Sequence, residues 1–196
     1  WYQSRLTATD LSAGRGERRR DLEPLYFGEG IAVLGDQVFQ LTYHSCIGFV
    51  YRKKNFQLVR TFNFPHQGWG LTTDGEQLIM SNGSASLIFM DPDTMETTGY
   101  VVAADQVGPV GSLNELEYVD GKVYANIFRT NIIARISIET GTVTGWIDMN
   151  GLNPDTSVLK DPFFLNGIAY DVATGHFFVT GKCWPKIYEI ELILRQ

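Results

Sequence analysis

Cysteine and histidine are scarce in this chain of 196 residues. Cys46 and Cys183 stand in unlike contexts, and His44, His66 and His176 show no close spacing with one another or with either cysteine. Two cysteines are too few for a disulfide framework or a metal cluster, and a zinc site wants ligands at short intervals. Neither metal nor cofactor is therefore expected, and the two cysteines read as free thiols in preference to a pair, with pairing left open. No apolar run approaches the ~20 residues that cross a bilayer as a helix, so no membrane span is expected. Positive charge is in deficit too: 16 Lys and Arg face 22 Asp and Glu, a net charge of -6. That balance opposes attraction to phosphate, which excludes nucleic acid as the expected partner. The one basic run, Arg15 to Arg20, also holds Gly16 and Glu17 and reads as a solvated turn. No signal peptide precedes Trp1, although a mature secreted form would look the same.

What is present favours strands. Twenty Gly, twelve Phe and nine Tyr accompany a 44% hydrophobic content, a mixture suited to short strands and tight turns in one all-β domain over residues 1–196. The chain also repeats itself. Gly28-Glu29-Gly30-Ile31, Gly68-Trp69-Gly70-Leu71, Leu113-Asn114-Glu115-Leu116 and Leu165-Asn166-Gly167-Ile168 each open an apolar segment that turns at Gly or Asp and returns. The anchors Ile31, Leu71, Leu116 and Ile168 lie 40, 45 and 52 residues apart, the period of four-stranded propeller blades. Each unit runs on into a third and fourth strand, such as Gly48 to Tyr51 then Gln57 to Phe62. Ser4 to Leu11 matches only the outer half of a unit, and the last unit lacks a clear fourth strand. The arithmetic predicts a five-bladed β-propeller whose first blade is incomplete, with roughly forty residues wanting at its start.

Inner strands of a propeller face a central channel, so equivalent positions form rings around its mouth. Two residues before the anchors stand Glu29, Trp69, Asn114 and Asn166. Twelve residues after the first three anchors stand Tyr43, Gly83 and Phe128, and the longer turn of the fourth unit shifts the match to Lys182. One acid, one base, amides and aromatic walls are what a small polar ligand needs, since the walls exclude water and the polar groups fix orientation. Taken singly, each of these residues reads equally well as a turn cap or a packing group.

At these positions the sequence resembles the plant and bacterial glutaminyl cyclases, or glutamine cyclotransferases. The matching motifs are Tyr26-Phe27-Gly28-Glu29-Gly30, Gly68-Trp69-Gly70-Leu71, Leu113-Asn114-Glu115-Leu116-Glu117-Tyr118, Leu165-Asn166-Gly167-Ile168-Ala169-Tyr170 and Thr180-Gly181-Lys182 with Trp184-Pro185-Lys186. The resemblance runs from about Trp1 to Leu192. It implies Glu29 as catalytic acid and base, with Asn114 and Lys182 polarising the substrate amide. Phe27, Tyr43, Trp69, Phe128 and Asn166 would shape the binding pocket. It further implies a monomer, secreted or periplasmic, acting on peptides or proteins with an N-terminal glutamine. Two departures stand out: the family usually has tryptophan where Tyr43 and Phe128 stand, and its Phe-Thr-Gln-Gly motif would precede Trp1.

The implied reaction is intramolecular, with the α-amino group attacking the γ-carboxamide carbon and ammonia leaving. Aromatic neighbours would raise the pKa of Glu29 so that it carries the proton. Asn114 and Lys182 would steady the oxyanion. The alternative is a non-catalytic propeller that binds a peptide or protein at the channel mouth, since one scaffold hosts many functions. A calcium-assisted hydrolase ranks lower, because it needs several channel carboxylates and the first ring offers only Glu29.

Overall fold

The computed structural model describes residues 4–11, 13–153 and 163–193, and every regular element among them is a strand. A hairpin comes first, β1 (Arg5–Asp10) with β2 (Arg15–Asp21). Next is a four-stranded sheet of β3 (Gly28–Leu34), β4 (Gln37–Thr42), β5 (Ile47–Arg52) and β6 (Leu58–Asn63). The second such sheet holds β7 (Leu71–Thr73), β8 (Leu78–Met80), β9 (Ser86–Met90) and β10 (Thr97–Val102). The third holds β11 (Leu113–Val119), β12 (Lys122–Ile127), β13 (Ile132–Ser137) and β14 (Val143–Asp148). The last has three strands, β15 (Leu165–Asp171), β16 (His176–Gly181) and β17 (Tyr188–Ile190). Each sheet is an antiparallel meander in chain order.

The sheets pack face to face, with one apolar cluster at each junction. Leu6 of the hairpin meets Val38, Phe49 and Tyr51. Phe39, Leu41 and Phe62 of the first large sheet meet Leu71, Leu78 and Met80 of the second. Ile79 and Leu87 meet Leu113, Leu116 and Val123, and Tyr124 and Ile133 meet Leu165, Ile168 and Phe177. Neighbours in a strand therefore feed opposite clusters: Leu78 and Met80 point one way and Ile79 the other. That is why second strands read as continuous apolar runs, as in Leu78-Ile79-Met80, while outermost strands such as β14 alternate with solvent.

Tight turns close the inner hairpins. Asp120 and Gly121 both have positive φ, +46° and +75°, between the paired Val119 and Lys122. This is the two-residue turn whose twist matches that of the strands, and it explains the Asp-Gly pair.

Two expectations need correction. Four blades, three of four strands and one of three, are seen among the described residues where five, the first of them incomplete, were expected; the hairpin is a separate two-stranded sheet. The run Arg15 to Arg20 is strand β2 and not a turn. Its alternation turns Arg18 and Arg20 towards aromatic rings, their guanidinium carbons 5.6 Å from the centre of Phe56 and 5.1 Å from that of Tyr51, an arrangement that shelters the side-chain stems.

Candidate active site

The inner strands β3, β7, β11 and β15 lie side by side, and close backbone approach brings their first residues together. The Gly30 N–H donates to the Trp69 carbonyl at 2.7 Å. A Cβ on Gly30 would stand 2.6 Å from the Gly70 carbonyl carbon, and one on Gly70 would clash with the Asn114 carbonyl oxygen. Glycine at both positions is therefore a requirement of the approach. The Ser81 hydroxyl completes the link, accepting from the Gly70 N–H at 2.8 Å and donating to the Asn114 carbonyl at 2.6 Å.

A register irregularity re-aims the ring residues. Three inner strands slip at the same place, between Gly28 and Ile31, between Leu113 and Leu116, and between Leu165 and Ile168. Such bulges break the alternation of faces and turn a side chain that would otherwise enter a packed junction. The second ring is fixed by a repeated backbone bond. Tyr43, Phe128 and Lys182 each donate their N–H to a carbonyl two residues before a first-ring member, those of Phe27, Ser112 and Phe164, at 3.0, 2.9 and 2.8 Å.

These elements enclose a cavity of about 320 Å³ lined by Phe27, Glu29, Tyr43, Trp69, Asn114, Phe128 and Lys182. Seven of the eight residues expected from the sequence thus meet in one place. Asn166 does not line it. The carboxamide oxygen of Asn166 is buried with no partner among the described residues, while its neighbour Gly167 is held by the Asn126 side chain, whose Oδ1 accepts the Gly167 N–H at 2.9 Å.

The aromatic wall is continuous. Ring centres of Phe27 and Tyr43, and of Tyr43 and Trp69, are 6.3 Å apart, and Trp69 meets Phe128 edge-on at 5.3 Å. The Trp69 indole is set from two sides: its Nε1–H donates to Gln67 Oε1 at 3.1 Å, and its far edge lies over Gly83, where a Cβ would come within 2.7 Å. Gly83 has φ of +84°, so its second-ring position serves the indole by absence. Burial among these groups pushes the Glu29 carboxyl up to about 7, against the pull of the nearby Lys182 ammonium towards lower values. The same ammonium lies 5.7 Å from the centre of the Phe128 ring. The arrangement offers a proton carrier poised near neutrality, a cation and a carboxamide facing one dry wall.

Two carboxylates that the sequence reading left without a role stand next to Asn114. Glu115 Oε2 accepts the Ile168 N–H at 2.7 Å, and Glu117 Oε1 accepts the Tyr170 N–H at 2.9 Å, so both staple β11 to β15. Burial raises Glu115 well above the usual carboxylate range, with the Glu117 charge adding to the rise, and burial lifts Glu117 to about 7. Both cysteines are free thiols. Among the described residues no cluster of His, Cys, Asp and Glu is placed to hold a metal ion.

The chain is similar to known proteins of one family. Residues 2–192 match the family described as glutamine cyclotransferase. The chain is 39% identical over 195 residues to a glutaminyl-peptide cyclotransferase of Arabidopsis thaliana, covering 97% of this chain and 60% of that protein, so it spans about 60% of the length of that curated relative. The crystal structure of Myxococcus xanthus glutaminyl cyclase superposes with a TM-score of 0.89 at 33% identity, covering 95% of this chain and 81% of the other. A β-propeller domain of Myceliophteria thermophila Cps50 gives a TM-score of 0.57 at 7% identity, covering 92% of this chain and 58% of that one, a likeness of fold alone.

Proposed function

The chain belongs to the glutamine cyclotransferase family, and from that premise we propose that its protein closes N-terminal glutamine of peptides into pyroglutamate with release of ammonia. The observation that carries the proposal is Glu29, the single carboxylate lining the cavity among the described residues, held near a pKa of 7 beside Lys182 and Asn114 within an aromatic wall. The attacking α-amino nitrogen and the γ-carboxamide carbon belong to one residue, so the site has mainly to hold a folded conformer. As the new C–N bond forms, the Glu29 carboxylate takes one proton from the attacking nitrogen. It returns that proton to the carboxamide nitrogen, which leaves as ammonia as the old C–N bond breaks. Asn114 and Lys182 donate to the carbonyl oxygen while it carries negative charge, an effect worth roughly 3 kcal/mol per donor at preorganised sites. Phe27, Tyr43, Trp69 and Phe128 exclude water and hold the aliphatic part of the glutamine side chain.

The hairpin fits the same proposal as the outer half of a fifth blade. Leu6 and its neighbours cover one face of the first large sheet just as the other blades cover theirs, and two further strands would seat its inner edge between β15 and β3. The test of the activity is mass spectrometry on a peptide beginning with glutamine, incubated with the full-length protein and with its Glu29→Gln variant. Loss of ammonia's mass with the first and not the second is expected. An unchanged peptide in both would leave a non-catalytic peptide-binding propeller.

A further inference from the structure

Close in sequence to the supports of Trp69 lies a second cavity, of about 220 Å³, lined by His66, Asn82, Ser86, Ile88, Thr97 and Tyr100. It touches the first through the chain itself. His66 precedes Gln67, which holds the Trp69 indole nitrogen, and Asn82 precedes Gly83, over which the indole lies. The same two loops thus border both cavities, and a peptide whose first residue fills the aromatic cavity would run on along them.

We propose that this groove binds the backbone of the residues that follow the N-terminal glutamine, an inference that rests on the cyclotransferase reading. Its lining suits that occupant. The Asn82 Oδ1 already accepts the Ser84 N–H and hydroxyl at 3.1 and 2.6 Å, which leaves the carboxamide NH2 to donate to a carbonyl. Ser86, Thr97, His66 and Tyr100 supply further hydroxyl and imidazole groups for peptide N–H and C=O, both of which need partners once removed from water. Ile88 gives a buried floor, and Tyr100, 67% exposed, a wall. Among the described residues no carboxylate, lysine or arginine lines the groove, so it recognises the chain without selecting the charge of its side chains.

The test compares kcat/KM of the full-length protein for glutamine amide and for the amide of Gln-Ala-Ala-Ala, in the wild type and in His66→Ala and Tyr100→Ala. The wild type should prefer the tetrapeptide. Each variant should lower kcat/KM for the tetrapeptide by roughly threefold to tenfold, the effect of one hydrogen bond, and leave the glutamine amide rate within about twofold. Equal losses on both substrates, or an unchanged preference, would overturn the groove assignment while leaving the cyclotransferase intact. No cyclisation of either substrate by the wild type would overturn both.

Discussion

Replacing Glu29 by Gln should abolish cyclisation and at the same time stabilise the folded protein above neutral pH. The carboxyl titrates near 4.5 when unperturbed and near 7 in the fold, raised chiefly by burial. Between those two values the unfolded chain has lost its proton and the folded one has kept it, so stability falls with rising pH by about 1.4 kcal/mol per pH unit. The loss therefore begins near pH 4.5, is complete just above 7, and totals about 3 kcal/mol. Below 4.5 both states are protonated and Glu29 contributes none of it. Glutamine carries no such proton. The variant's advantage over the wild type should thus open between pH 4.5 and 7 and stay flat at higher pH.

Other groups do not confuse this difference. Glu115 and Glu117, both raised as well, impose the same pH dependence on both proteins and cancel. The attraction of Lys182 is already contained in the value near 7. For a domain of this size 1 kcal/mol moves Tm by roughly 2–4 °C, so about 3 kcal/mol corresponds to roughly 6–12 °C. Thermal and urea unfolding of both full-length proteins at several values between about pH 4 and pH 8 reads the gap directly. A gap that does not change with pH would refute the reasoning, because Glu29 would then ionise as an exposed carboxyl does and would not hold a proton near neutrality.

Lys182→Met should move the rising limb of the kcat/KM profile to higher pH, since the cation favours the Glu29 carboxylate; the substrate amine contributes equally to both profiles, and an unmoved limb would deny the interaction. Gly83→Ala places a methyl group 2.7 Å from the Trp69 indole at a φ of +84°. It should displace the ring and cost at least about tenfold in kcat/KM, with a change in tryptophan fluorescence as the check that the indole has moved. Glu115→Ala strips the Ile168 N–H of its acceptor and should cost roughly 1–3 kcal/mol in urea unfolding. Glu115→Gln keeps an acceptor oxygen and should be no less stable than the wild type at neutral pH, because burial opposes the ionisation that the unfolded chain undergoes there.

The blades and most of the cavity were legible because turn chemistry and a simple count both survive folding. Gly35, Asp120-Gly121 and Gly175 mark the inner hairpins, and counting twelve residues from an anchor reached Tyr43 and Phe128 because their strands carry no insertion. Lys182 needed a shift of two residues, absorbed by the longer turn before His176. Nothing in the sequence gave Glu115 and Glu117 a role, and the reason is parity. Along a regular strand residues an even number apart share a face, and by that rule Asn114 and Leu116 should point together.

The structure breaks that rule at the same place in three blades, and the sequence did carry the sign of it. Leu113 and Leu116, like Leu165 and Ile168, are buried in one cluster although they stand three apart, a spacing that a strand satisfies only with one extra residue between them. The extra residue has a cost, for it withdraws backbone N–H groups from the ladder, and buried N–H groups need acceptors. In β15 those are the N–H groups of Gly167 and Ile168, taken by Asn126 and Glu115. The turning of Asn114 into the cavity and the burial of a carboxylate behind it thus follow from the repeated bulge. The acceptor at position 115 serves the N–H of Ile168 at the matching irregularity in β15.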